Sequence, residues 1–199
     1  MKWSFLLLVC ALLPFSAVAQ QNEAAVTLGG TFTRSPQGFA TCEAILVCPT
    51  TPVSVGIGMG FSVNASFARR FADLHAASFF AEFPLLITPS RNGVGLFARD
   101  FSSVFFTPSI RAQFAPEARI SPFLSGGLGL ARFSGSGSDT TWAFQFGGGV
   151  DVKTPLPHLA IRVEAHDFIT GKPSIGELSN VTSGHLQQVF AGGGVVIKF

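Results

Sequence analysis

The chain has 199 residues, of which only 12% are charged, and a formal net charge of +2. Soluble domains carry about 25% charged residues, whereas this chain combines low charge with a mean hydropathy of +0.45. Its near-neutral charge provides no basic surface of the kind that binds nucleic acid. After residue 19 no apolar run reaches the length of about 20 residues that a membrane-spanning helix needs.

The N-terminal residues have the pattern of an export signal. Lys2 gives a basic start, an apolar segment follows over residues 5–15, and residues 17–19 (Ala-Val-Ala) have the small-x-small form of a cleavage site. We therefore predict a signal peptide over residues 1–19 and a single mature domain over residues 20–199.

Residue alternation after the signal segment predicts eight β-strands. The clearest run extends from Val53 to Phe67, where Val, Ile, Met, Phe and Ala alternate with Ser, Gly and Asn. A helix would instead place its apolar residues at i, i+3 and i+4. In chain order, the predicted strands are Ala25–Arg34, Val53–Phe67, Ala76–Ile87, Val104–Phe114, Ile120–Phe133, Trp142–Lys153, Leu159–Phe168 and Gln187–Phe199.

Each predicted strand has one largely apolar face and one face of small or polar residues. A closed barrel is the strand-based membrane structure that pairs every backbone N–H and C=O internally. A soluble lipocalin-like barrel is the alternative, but its water-facing surface would then be rich in Gly, Ser and Thr and poor in charge. We predict an all-β fold, an eight-stranded antiparallel up-and-down transmembrane β-barrel.

The predicted connections alternate between short and long. Short turns and longer loops at opposite ends are typical of outer-membrane barrels, with the turns in the periplasm. The short connections are residues 69–75, 115–119 and 154–158, and the longer ones are residues 35–52, 88–102, 134–141 and 169–186.

The chain from about residue 23 to Phe199 resembles the small OmpA-like and OmpX-like outer-membrane β-barrels. The segment Arg162-Val-Glu-Ala-His-Asp-Phe168 is similar to the penultimate strand of OmpA-like barrels, where an Arg and a nearby acid project inward before an Asp-aromatic pair. Phe199 resembles the terminal aromatic of their assembly signal, although by itself it also fits a soluble edge strand. The resemblance implies a bacterial outer-membrane location, contact with membrane lipid and lipopolysaccharide, and insertion by the barrel assembly machinery.

Four charged residues, Glu82, Arg111, Arg162 and Glu164, lie on the polar faces that would line the lumen. Unpaired charges there are costly, so we expect opposite signs to pair and hydrogen-bond. Such a cluster would plug the barrel. The alternative is a water-filled lumen in which these charges are solvated.

The sequence contains no recognisable catalytic motif. Its His residues are scattered, and the glycine runs at 147–149 and 192–194 lie inside predicted strands without the helix that follows a phosphate loop. We predict no enzyme activity, metal site or cofactor. The favoured function is a structural barrel that binds a surface ligand through its loops, and a narrow transport barrel for small solutes or ions is the alternative. Eight strands enclose only enough space for side chains.

Cys42 and Cys48 are the only cysteines after the signal peptide. An even pair in an exported protein predicts a disulfide in the first long loop, with two free thiols as the alternative. Closing so short a ring stabilises the fold by about 2 kcal/mol at most.

Mass spectrometry of the non-reduced mature protein should find neither thiol open to alkylation, and two alkylated cysteines would refute the disulfide.

Overall fold

The structure is a computed structural model that describes residues 22–34, 37–38, 53–54, 56–57, 59–74, 76–91, 93–94, 101–135, 137–171 and 185–199. The predicted signal peptide and disulfide lie outside these residues. The main strands are β1 (Asn22–Arg34), β2 (Gly60–Leu74), β3 (Ala77–Arg91), β4 (Phe101–Phe106 and Ser109–Phe114), β5 (Ile120–Ser134), β6 (Ser138–Lys153), β7 (Leu159–Gly171) and β8 (His185–Lys198). The described residues contain no helix long and apolar enough to cross a membrane.

Two short strand pairs lie beyond the main strands. Gln37–Gly38 pairs with Val53–Ser54, and Gly56–Ile57 pairs with Gly93–Val94. Both pairs fall in the connections that follow β1 and β3, so they extend the strand pattern at that end of the sheet. We call this end the loop end. The opposite end, which carries Asn22 and Phe199, is the terminal end.

The sheet closes on itself. Each main strand pairs antiparallel with its sequence neighbours, and β8 also pairs with β1 over the register Glu23↔Lys198 to Arg34↔Gln187. The last rung joins Asn22 and Phe199 by two backbone hydrogen bonds of 2.6 and 2.8 Å. The prediction of an eight-stranded antiparallel up-and-down barrel is therefore confirmed.

The alternation of side chains separates two environments. Apolar side chains of one parity project outward, and Leu128 retains 68% of its accessible surface. Side chains of the other parity are buried in the lumen, where Phe105 and Arg111 are both 0% exposed. An apolar outside around a partly charged inside inverts the arrangement of a soluble protein and is that of a membrane barrel. The outward set, here called the apolar belt, includes Phe61, Phe83, Ile110, Leu124, Leu128, Phe144, Val163 and Val195.

Two of the predicted connections are wrong. The strand β2 continues through residues 69–74, because a bulge between Arg70 and Ala72 lets the ladder continue where the alternation is interrupted. The predicted long loop at residues 134–141 is a tight hairpin, since β5 and β6 pair as far as Ser134↔Ser138. Gly and Ser favour tight turns as well as loops. The connections therefore do not alternate strictly in length, whereas the turns at 115–119 and 154–158 are confirmed.

Inward glycines allow close approach between β1 and β8. A Cβ at Gly194 would overlap the Val26 carbonyl oxygen, whereas at Gly193 the nearest atom would be the Arg162 carbonyl oxygen at 3.5 Å.

We expect Gly194→Ala to lower the free energy of unfolding by about 1–3 kcal/mol through overpacking. Its neighbour Gly193→Ala should be neutral or slightly stabilising. Equilibrium urea unfolding in phospholipid vesicles measures both, and equal effects would contradict this register.

Candidate functional site in the barrel lumen

The lumen at the terminal end is centred on Arg162. Its guanidinium donates to both carboxylate oxygens of Asp151, from Nε to Oδ1 at 2.7 Å and from Nη2 to Oδ2 at 2.9 Å. Its Nη1 donates to Glu82 Oε1 at 3.4 Å, and Nη2 lies 3.7 Å from Glu23 Oε2. The two bonds to Asp151 have the forked geometry of a strong ion pair. Through its contacts with all three carboxylates, Arg162 connects β7 to strands β6, β3 and β1.

A second guanidinium completes this layer. Arg111 on β4 donates to Glu23, and its Nη1 lies 3.9 Å from Asp151 Oδ2. Lys198 on β8 approaches Glu23 Oε1 at 3.1 Å. Glu23 therefore interacts with three basic side chains, from Arg111, Arg162 and Lys198. We call this set, together with Glu82 and Asp151, the ionic layer.

Two phenylalanines stack on the guanidinium groups. The Cζ of Arg111 lies 4.4 Å from the centroid of Phe80 and 5.4 Å from that of Phe123. The Cζ of Arg162 lies 4.7 Å from the same Phe123 ring. These cation–π contacts shield the charges from water without using hydrogen-bond donors. The ionic layer is consequently packed as well as paired.

A polar layer lies above the ionic one. Glu164 Oε1 accepts hydrogen bonds from Thr27 at 2.6 Å and Asn64 at 2.7 Å, and its Oε2 lies 3.3 Å from His166 Nε2. The other ring nitrogen of His166 bonds the amide of Gln145 at 2.9 Å, and Gln145 accepts from Thr107. This chain of contacts crosses the lumen from β1 and β2 to Thr107, which lies between the two segments of β4.

An apolar layer occupies the lumen at the loop end beside the buried, mutually hydrogen-bonded hydroxyls of Thr31, Ser62 and Thr88. The Phe105 ring contacts Phe133 edge-on at a centroid distance of 5.7 Å and Phe168 at 4.8 Å. All members are at most 3% exposed. A layer of this kind contains no charged group that could coordinate an ion in transit. It consists of Leu86, Phe105, Ala131, Phe133, Ala143, Phe168, Leu186 and Phe190.

The four charged residues singled out in the sequence all lie buried in the lumen, but not as one cluster. Arg162 contacts Glu82 directly, Arg111 is paired with Glu23, and Glu164 belongs to the polar layer with His166. Sequence reasoning missed Glu23, Asp151, Lys198 and His166 as partners. Inward parity marks all four of them, so applying that criterion to every titratable residue would have found them.

The apolar layer was also missed. Ala131 and Phe133 share the parity of Ser125 and Gly127 on β5, which marks them as inward despite their apolar character. No grouping of three or more His, Cys, Asp or Glu suited to a metal ion occurs among the described residues. Among the described residues, one ring nitrogen of His166 faces the Glu164 carboxylate and the other faces the Gln145 amide. Neither ring nitrogen is paired with a Ser, Thr or Cys that could serve as the nucleophile in acyl transfer.

Comparisons with known proteins identify the fold. No protein-family model matches the chain, and no curated protein matches it significantly. The crystal structure of Neisserial surface protein A aligns with 90% of this chain and 97% of its own, at 17% identity and a TM-score of 0.58.

Two further outer-membrane proteins give similar alignments. OprG from Pseudomonas aeruginosa covers 91% of this chain and 96% of its own at 10% identity, with a TM-score of 0.60. AlkL, determined in lipid bilayers, covers 90% of both chains at 12% identity, with a TM-score of 0.56. The fold is that of the small OmpA-like and OmpX-like outer-membrane barrels, as the sequence resemblance indicated.

The ionic layer makes Arg162 a test of lumen stability. Replacing it by Met would leave the buried Asp151 carboxylate without its two strongest bonds, and breaking such a pair costs about 3–5 kcal/mol. We expect Arg162→Met to lower the unfolding free energy in vesicles by that amount. Lys153→Met is the control, because Lys153 and Glu117 form an exposed pair at 3.8 Å that contributes little. Similar losses in both variants would show that the buried layer is not stabilising.

A substitution at Phe199 can show whether its ring matters for insertion into the membrane or for the stability of the folded barrel. Phe199 projects outward, and Phe199→Ala keeps both backbone bonds to Asn22. If the ring is read during assembly, this variant should accumulate in the periplasm or be degraded, yet unfold like the parent once refolded. Leu156→Ala, which removes another exposed apolar side chain at the terminal end, should insert normally. Quantitative blotting of membrane fractions compares them, and equal insertion of all three proteins would refute a signal role.

Proposed function

We propose that this protein is a closed, non-enzymatic barrel of the bacterial outer membrane that anchors its outer loops for contact with a surface ligand. The observation that carries the proposal is the burial of the described lumen side chains in three successive layers, the ionic, polar and apolar layers. An open conduit would need a water-accessible path between the two ends. The large lumen side chains Arg111, Arg162, Phe105 and Phe190 are instead at most 1% exposed.

The outer-membrane location is supported by three independent features. The N-terminal pattern predicts export, the apolar belt requires a lipid environment, and the fold matches solved outer-membrane barrels. In that orientation the terminal end faces the periplasm and the loop end faces outward. Partners would then be membrane lipid and lipopolysaccharide around the belt, the barrel assembly machinery during insertion, and a ligand at the loops.

A narrow transport barrel is the competing function. The ionic layer alone does not exclude transport, because charged side chains can rearrange around a passing ion. The apolar layer disfavours it, since the Phe105 ring packs against those of Phe133 and Phe168, and the hydroxyls of Thr31, Ser62 and Thr88 beside them carry no charge. Ion passage would require this layer to open as well.

Planar-bilayer recording tests the closed lumen. The unmodified protein should give no steady conductance, and Arg111→Ala should also stay closed because the apolar layer remains. Phe105→Ala combined with Phe133→Ala should stay closed as well, since the ionic layer then remains. Only a variant that combines these three substitutions with Glu164→Ala, so that the ionic, apolar and polar layers are all disrupted, should show frequent channel events. Large, steady conductance from the parent would overturn the proposal, and heat-modifiable gel mobility verifies that each variant is folded.

A further inference from the structure

Three buried side chains of the lumen have hydrogen-bonding groups without a partner among the described residues. They are Ser109 and Arg111 on β4 and Ser125 on β5. Arg111 is 0% exposed, yet its Nε and Nη1 atoms donate no hydrogen bond, and the Oγ atoms of the two serines, each 7% exposed, make none either. Buried polar groups are almost always hydrogen-bonded to protein or to ordered water. This cluster therefore indicates a bound molecule.

The strand register brings these groups together. Arg111 and Ser125 are direct cross-strand partners, and the Cβ atoms of such a pair lie about 4.5–5.5 Å apart. Ser109 is two residues from Arg111 on the same lumen-facing side of β4. On β5 and β6, Ser109 and Ser125 pair with Gly127 and Gly147, which carry no side chain. The free groups thus face a common part of the lumen.

The cluster lies between the ionic and polar layers. In chain order Ser109 falls between Thr107 of the polar layer and Arg111 of the ionic layer. On β6, the lumen-facing positions between the two layers are Gly147 and Gly149. The lumen wall at this level is consequently built from serine and glycine, whose side chains occupy little volume.

We infer that a small cluster of water molecules is bound here, held by Arg111, Ser109 and Ser125. The free groups are guanidinium donors and hydroxyls that both donate and accept, and an internal water makes about three hydrogen bonds to such groups. Water thus supplies the acceptors that Arg111 lacks and satisfies the serine hydroxyls as well.

Charge disfavours an ion at this position. The three carboxylates of the ionic layer already balance its three basic groups, so an added anion would be an uncompensated buried charge. The buried Glu82 is moreover the cross-strand partner of Ser109 and would repel an anion. A cation would face the guanidinium of Arg111. A neutral molecule avoids both costs.

The inference deepens the proposed closed barrel, on which it rests. The ionic layer lies on one side of the cluster, and the polar and apolar layers lie on the other. Water held between them can reach bulk solvent only when one of these layers opens. It should therefore exchange slowly, whereas water in an open lumen would exchange rapidly.

Nuclear magnetic resonance of the arginine-labelled protein in nanodiscs tests this inference by transfer of magnetisation from water to side-chain N–H groups. The Nε–H of Arg111 should give a cross peak at the water frequency, with the sign of a long-lived contact. The Nε–H of Arg162 is the matched control in the same layer. It donates to Asp151 Oδ1 at 2.7 Å and should give no such peak.

Two substitutions at Ser125 separate bound water from exchange through the serine hydroxyls. Ser125→Ala removes the hydroxyl but keeps the space, so the Arg111 peak should remain. Ser125→Val fills the space, so the peak should be lost. A peak relayed by the Ser125 hydroxyl would vanish in both variants, and one relayed by Ser109 would persist in both, and either pattern would overturn the inference. Heat-modifiable gel mobility verifies folding, and the contrast between Arg111 and Arg162 in the parent decides the question if Ser125→Val does not fold.

The remaining outcomes distinguish this inference from the proposed function. Absence of a water contact at Arg111 in the parent would overturn the inference, and so would an Arg111 resonance that shifts when bromide replaces chloride, because an anion would then be bound. Short-lived water contacts at both arginines would refute the closed lumen as well as the enclosed water. A long-lived contact at Arg111 in a protein that gives steady channel currents would support the water site and refute only the proposed function.

Discussion

The requirement that every backbone N–H and C=O find a partner within the chain governs this structure. In a bilayer no water satisfies an open sheet edge. The sheet therefore closes between β1 and β8, and the closure extends to the final rung between Asn22 and Phe199. Closure fixes the side-chain parity of all the strands at once, because a slip of one residue would exchange the lumen and lipid faces. The apolar belt and the polar lumen follow from that single choice of register.

The small radius of an eight-stranded barrel has its own consequences. Its interior holds little besides side chains, so charged residues placed there must pair or stack. Arg162 does both, with Asp151 at 2.7 and 2.9 Å and Phe123 beneath its guanidinium. Where neighbouring strands approach closely on the lumen side, glycine replaces larger residues, as at Gly194 beside the Val26 carbonyl. The filled lumen that carries the proposed function is thus a result of geometry as much as of the particular charges.

Much of this fold could be predicted from period-two alternation, which records the contrast between lipid and lumen. Strand ends were less predictable, because a bulge at Arg70 and a tight hairpin after Ser134 interrupt the pattern without ending the ladder. Pairing within the lumen was least predictable. Parity placed Arg111 inside, but its selection of Glu23, on the distant β1 strand, depends on the tilt and register of the closed sheet. The apolar layer was not predicted, because Phe105 and Phe133 have the apolar character of lipid-facing residues. Only their position in the alternation shows that they face the lumen.

The central claim is that the apolar belt contacts lipid while residues of opposite parity do not. Nuclear Overhauser effects between lipid chain methylenes and methyl groups of the unmodified protein in nanodiscs measure this directly. The account predicts contacts from Leu124, Leu128, Ile161, Val163 and Ile197. It predicts none from Leu86, Leu186 and Val196, which are at most 3% exposed in the lumen. Lipid contacts from the second set without the first would contradict the register, the filled lumen and the closed barrel together.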